Sequence, residues 1–146
     1  MKPVRLASAL AAFLLGSVAA QAQEVKIGVL YPLSGPVAQV GIDAVAAVKA
    51  VAEIINEGAD LPLPLAKGGG LPGLKGAKIK LVVADHQGKP EVGLSETERM
   101  INQEKVNAMI GAYFSSVTAA ASQAAERAGI PFVNAASTSP ALTERG

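Results

Sequence analysis

The sequence predicts an α/β fold: an open parallel sheet with helices on both faces. Short segments dense in β-branched and aliphatic residues recur four times along the chain. Between them lie amphipathic or alanine-rich segments of helical period, in strict alternation. Strand, helix, strand order of this kind argues for parallel strands joined by right-handed crossovers.

The first strand candidate is Val25-Lys26-Ile27-Gly28-Val29-Leu30, followed at once by the turn formers Pro32, Ser34, Gly35 and Pro36. From Asp43 to Asn56 the apolar residues Ala44, Val48, Val51 and Ile55 recur at spacings of four, three and four. That spacing predicts an amphipathic helix, with Asp43 favouring its positive N-terminal end. Pro62, Pro64 and Pro72, together with Gly68-Gly69-Gly70, exclude a regular element from residues 57–77. A second strand is expected from Lys78 to Ala84, ending at Asp85, and a helix from Pro90 to about Gln103. Proline suits the first helical position, where the amide it lacks has no intrahelical partner. The third unit reads Val106–Gly111 as strand, Tyr113–Ser116 as loop and Val117–Ala128 as helix, stopped by Gly129. Ile130–Val133 begins a fourth, and the polar loop Asn134–Ser139 leads to a new helix start at Pro140.

Lys2 and Arg5 precede an apolar run from Leu6 to Ala20, then Ala20-Gln21-Ala22 and a polar continuation. This is the layout of a secretory signal peptide over residues 1–22, and its apolar run is too short to span a bilayer as a helix. The chain contains no cysteine, which excludes a lipid-anchored export form and any disulfide. Export to the periplasm as a cleaved chain without a lipid anchor is expected, leaving residues 23–146 as one domain. Without Lys2 and Arg5 the 13 Lys and Arg become 11 against 12 Asp and Glu, a formal charge of −1. No electrostatic footprint for nucleic acid follows from that balance.

In open parallel sheets, ligands bind beyond the carboxyl ends of the strands. Phe114-Ser115-Ser116-Val117-Thr118 lies between a strand end and a helix start, where free amides and the helix dipole attract anions. A serine there also commonly serves as a helix cap. Asn134-Ala135-Ala136-Ser137-Thr138-Ser139 occupies the equivalent end of the next strand. Two hydroxyl-rich loops side by side form a donor-lined mouth suited to a carboxylate. Ser34-Gly35-Pro36 offers a turn that either adds a wall or simply reverses the chain. Tyr31 and Tyr113 each end a strand, to touch ligand or to close the core. His86 is the single histidine and is expected to be exposed in a loop, since no cysteine or second histidine joins it. No GxGxxG opens the first helix, and no GxxxxGK[ST] or GxSxG motif is present, so dinucleotide, nucleotide and α/β-hydrolase chemistry lack their usual residues, and no cofactor or metal is expected.

VKIGVLYPLSGPVAQVG at 25–41, the Asp85 strand end with Pro90, IGAYFSSVT at 110–118 and GIPFVNAASTSPALTERG at 129–146 occur in order. Together they resemble the N-terminal lobe of type I periplasmic solute-binding proteins of the leucine/isoleucine/valine-binding family. The resemblance implies capture of an amino acid or related small carboxylate for an ABC transporter, with the transporter permease as partner. It implies no enzymatic activity. It places Ser115 and Thr138 as hydroxyl partners of the ligand, Ala136 as a backbone carbonyl for its ammonium, and Ser116 and Ser137 as neighbours. The family commonly carries an aromatic residue where Val40 stands. It also continues beyond residue 146 into a hinge and a second lobe, so the resemblance implies a partial N-terminal lobe. Two rival readings remain: the ectodomain of a sensor or receptor, and an exported α/β enzyme with Asp85 and His86 as acid–base groups.

Overall fold

The computed structural model describes residues 24–144; the signal-peptide reading of residues 1–22 lies outside them. The elements are β1 (Glu24–Tyr31), α1 (Ala38–Glu57), β2 (Lys78–Asp85), α2 (Pro90–Arg99), β3 (Ala108–Gly111), α3 (Ser115–Arg127) and β4 (Phe132–Asn134). Every strand pair is parallel, in the order β2-β1-β3-β4. The sheet predicted from the alternation of segments is therefore the one that forms.

The central strand β1 shows why two layers of helix are needed. Val29 and Leu30 are both fully buried, yet successive strand residues point to opposite faces. Val29 packs with Tyr31 and with Val45 of α1 on one side. Leu30 packs on the other with Met100, Met109, and Val117, Ala121 and Ala125 of α3. Gly28 adds to this closeness, because a Cβ there would lie 2.9 Å from the Met100 sulfur. On the same side α2 and α3 meet where Gly93 faces Val117.

Several boundaries differ from the sequence expectation for local physical reasons. Helix α1 begins at Ala38, five residues before Asp43, and its first turn holds no acidic residue. Asp43 instead accepts a hydrogen bond from the Gln39 side chain one turn earlier, at 2.7 Å. Gly41 is buried in that added turn, and a Cβ there would lie 1.9 Å from the Pro32 carbonyl oxygen. Helix α2 ends at Arg99, and a π-helical turn, Met100–Glu104, continues it to Lys105 at φ 58°. Val106 and Asn107 fall outside β3; Asn107 pairs with Lys26 through its amide and through its side-chain oxygen, both at 2.8 Å. β4 starts after Pro131, which lacks an amide but accepts from Met109 N–H at 2.8 Å. The 57–77 excursion carries one 3₁₀ turn, Pro72–Leu74, and a bridge between Leu71 and Ala77. The expected helix start at Pro140 is a 3₁₀ turn, Pro140–Leu142.

The α1 side of the sheet is covered over β1 and β2 but open over β3 and β4. An apolar groove of about 410 Å³ lies there, lined by Val48, Val51, Ile55, Ala108, Ile110 and Val133 among others. Val51 and Val133 are more than half exposed.

The α2–α3 contact gives a direct test of the packed side. A Cβ on Gly93 would stand 2.4 Å from Val117 Cγ1, so Gly93→Ala must push the helices apart or force Val117 off its rotamer. A loss of about 1–3 kcal/mol is expected, read from urea unfolding of the full chain. Pairing it with Val117→Ala should restore part of that loss.

Candidate functional site

The chain runs from β1 to β2 on one side and then returns to β3 on the other, so the strand order reverses between β1 and β3. A crevice beyond the carboxyl ends opens at such a reversal. The loops leaving β1, β2, β3 and β4 all emerge at this end, and polar bonds tie each to its neighbour.

Asp85, the last residue of β2, accepts from the amides of Leu33 and Gln87, each at 2.8 Å, and from the Ser34 side chain. The loop after β1 is thereby fastened to β2, and Ser34 works as an anchor of the turn. Partial burial acts to raise the Asp85 carboxyl. The hydrogen bonds from Ser34, Leu33 and Gln87 outweigh burial and hold it below the usual carboxylate range.

His86 is fully buried, which corrects its expected place as an exposed loop residue. Its Nδ1 accepts from the Gly88 amide at 3.0 Å. The other ring nitrogen must then carry the proton, so Nε2–H donates to the Ala112 carbonyl at 2.9 Å. The Phe114 ring packs against the imidazole edge-on, with centroids 6.0 Å apart. Buried and doubly bonded, His86 is ill placed as a surface acid or base beside Asp85.

Past β3 the bonds form a directed string. The Ala112 amide donates to Thr118 Oγ1 at 3.2 Å. Ser137 Oγ donates to the Tyr113 carbonyl at 3.0 Å, so the 2.6 Å bond between the two hydroxyls has Thr118 as donor and Ser137 as acceptor. Asn134 shapes the last loop: its side-chain oxygen accepts from the Ala136 and Ser137 amides, and its NH₂ donates to the Ser137 carbonyl at 2.9 Å. The Ser139 amide reaches across to Ser115 Oγ at 3.3 Å.

These bonds divide the sequence-predicted site residues into two groups. Ser137 and Thr118 commit their protons internally and hold the β3 and β4 loops together. Ser115 and Ser116 are the first two residues of α3 rather than a preceding loop, and no side chain caps that helix. The capping role open to Ser115 from sequence is therefore not the one it has. Its hydroxyl accepts from Ser139 and keeps its proton. Ser116 and Thr138 are exposed, and their hydroxyls have no hydrogen-bond partner among the described residues. The Ala136 amide is used locally while the residue stays exposed. Tyr31 is buried against Val29 and Val45, so it closes the core. Tyr113 is half-buried and stacks edge-on to Phe114 at 5.3 Å, with its backbone at φ 87°. Val40 sits in the first turn of α1, 42% exposed.

A family model described as periplasmic binding protein matches residues 24–146, nearly all of the chain. The chain belongs to the periplasmic binding protein family. It is 34% identical over 141 residues to Leu/Ile/Val-binding protein homolog 7 of Brucella suis, covering 97% of this chain and 32% of that one. It is 33% identical over 128 residues to the Leu/Ile/Val-binding protein of Escherichia coli K12, covering 87% and 31%. Among solved structures it resembles the branched-chain amino acid transporter substrate binding protein LivJ of Streptococcus pneumoniae, in complex with isoleucine. The TM-score is 0.71 at 28% identity, covering 84% of this chain and 31% of that one. A solute binding protein of an ABC transporter from Rhodopseudomonas palustris, in complex with 4-hydroxybenzoate, matches with TM-score 0.66 at 25% identity, covering 84% and 29%. The fold is thus that of a type I periplasmic binding protein lobe, and the chain spans about a third of the length of these relatives.

The Asp85 anchor carries a pH signature. A carboxyl lowered in the folded state contributes stability above its unfolded pKa of about 4, and that contribution is lost as pH falls through the lower folded value. Asp85→Asn should therefore be less stable than wild type at pH 7. The gap should close on acidification below pH 4, read by urea unfolding at both pH values.

Proposed function

We propose that this periplasmic binding protein captures an amino acid or a related small carboxylate and delivers it to an ABC transporter permease. The observation that carries the reading is the pairing of an uncapped α3 N-terminus with free hydroxyls beside it. The opening amides of α3, Ser115 Oγ–H and the hydroxyls of Ser116 and Thr138 supply donors without a net charge. A carboxylate takes several such donors at once, helped by the positive end of the helix. The carbonyl of Ala136, an exposed residue on the neighbouring loop, is the acceptor for an ammonium group. Ser137, whose proton is committed to Tyr113, positions this loop instead of donating to ligand.

The relatives support the same chemistry. One is named in complex with isoleucine and another with 4-hydroxybenzoate, two molecules that share a carboxylate and differ in nearly everything else. Both are named as binding components of transporters, which fits capture rather than catalysis. Export to the periplasm by cleavage of residues 1–22 belongs to this proposal.

A ligand panel tests it. With ligand at a hundredfold of its dissociation constant, the full chain should gain about 2.7 kcal/mol of stability. L-isoleucine and 4-hydroxybenzoate are the first probes, and L-isoleucinamide, which lacks the carboxylate, should give no shift. Ser115→Ala and Thr138→Ala should each weaken a binding probe about tenfold or more, as loss of one charge-assisted hydrogen bond of about 1.5–3 kcal/mol predicts. Binding that survives amidation of the carboxylate would remove the basis for this reading.

A further inference from the structure

We infer that His86, which need touch no ligand, is a positioning residue that sets the affinity of the carboxylate site by holding the Ala112 carbonyl. The inference rests on the reading of the site as carboxylate-binding. His86 leaves the end of β2, yet its Nε2–H reaches the end of β3, 26 residues away, at 2.9 Å. Ala112 is also fully buried, and it stands where the chain turns from β3 into α3. One peptide group back, its amide starts the string through Thr118 and Ser137 that returns to Tyr113. The imidazole therefore fixes the first link of the string that sets the β4 loop against the head of α3. A shift of Ala112 would be passed to Thr118 Oγ1 and then to Ser137, whose neighbours in sequence are Ala136 and Thr138.

The surroundings of His86 favour a fixed ring over a mobile one. Gly93 of α2 lies against it, where an added Cβ would be 3.6 Å from the His86 Cβ. Phe114 covers one side, and the Gly88 amide occupies Nδ1. Both ring nitrogens are thus assigned by partners, and the donor toward Ala112 cannot be exchanged with the acceptor toward Gly88 without losing both bonds.

Two isosteric halves of histidine separate positioning from mere filling. Asparagine places an oxygen near the Nδ1 position and can still accept from Gly88, but nothing in it reaches Ala112. Glutamine reaches as far as Nε2 and can donate to Ala112. In the full chain, His86→Gln should bind L-isoleucine or 4-hydroxybenzoate within about threefold of wild type, whereas His86→Asn should lose about tenfold or more, the scale of one hydrogen bond at the site. Amide hydrogen exchange supplies a readout that needs no ligand. His86→Asn should keep protection at Gly88 and lose it at Ala112 and Ser137, while His86→Gln keeps protection at Ala112. Equal affinity of the folded Asn and Gln variants, or unchanged protection at Ala112 in His86→Asn, overturns the inference. Should wild type bind no carboxylate at all, the reading of the site fails, and the exchange pattern alone still decides whether His86 holds Ala112.

Discussion

The loops beyond β3 and β4 depend on the hydrogen-bond string from Ala112 through Thr118 and Ser137 to Tyr113. A parallel sheet sends all its strands out at one end, so backbone groups just beyond the strands are buried without a further ladder to satisfy them. Each unpaired group there would cost about 1–3 kcal/mol. Thr118, 1% exposed, meets this need from the first turn of α3, accepting from one peptide and passing its own proton to Ser137. The last bond ends on Tyr113, whose φ of 87° is a conformation that costs a non-glycine residue about 1–3 kcal/mol. The surrounding bonds and the stacked Phe114 ring are what hold such a turn. By redirecting the chain from β3 into α3, that turn sets where the helix begins.

From this follows a division of labour among hydroxyls that look alike in sequence. Those inside the string cannot face a ligand without breaking the loop they hold. Those at its margin, on Ser115, Ser116 and Thr138, are held in place by it and keep free protons. A grip made of hydroxyls and amides alone has a modest ceiling. Three or four charge-assisted bonds of about 1.5–3 kcal/mol each are opposed by an association cost of about 4 kcal/mol or more. What is left from one wall is weak, and burial of the ligand against a second surface would have to supply the rest. A chain spanning about a third of relatives named for their ligands is consistent with that balance.

The fold was legible because its signal is distributed. Four apolar strands and the helices between them each rest on several residues, so errors at the ends did not change the topology. Ends differ from the sequence expectation where a single residue type carries the reading. Asp43 pointed to a helix start that lies a turn and more upstream, because Gly41 lets α1 approach Pro32 closely enough to begin at Ala38. Ser115 and Ser116 read as loop because serine so often precedes a helix, yet both are helical here. The two hydroxyl loops were found from their place at adjacent strand ends, which topology guarantees. How their protons are shared was not legible, since it turns on Tyr113 adopting a left-handed backbone that nothing in its side chain announces. The buried place of His86 departs from the sequence expectation for a related reason. A lone histidine after a strand is usually solvated, and its decisive partner, the Ala112 carbonyl, is a backbone group with no sequence mark.

The open groove on the α1 side bears on how far the site stands by itself. Ala112, Phe114, Val117 and Ala121 belong to the layer filled by α2 and α3, together with Leu30 and Met109 of the sheet. The supports of the string therefore lie mostly on the completed face, and Tyr113 is the member that packs toward the α1 layer. Whatever comes to cover Val51, Ile110 and Val133 adds apolar burial to β3 and β4 from the opposite side. It has no need to reach Thr118, Ser137 or His86 to do so. Stability of the sheet edge and geometry of the proposed carboxylate wall are thus separable to a large degree, the first governed by the face still open and the second by the face already packed.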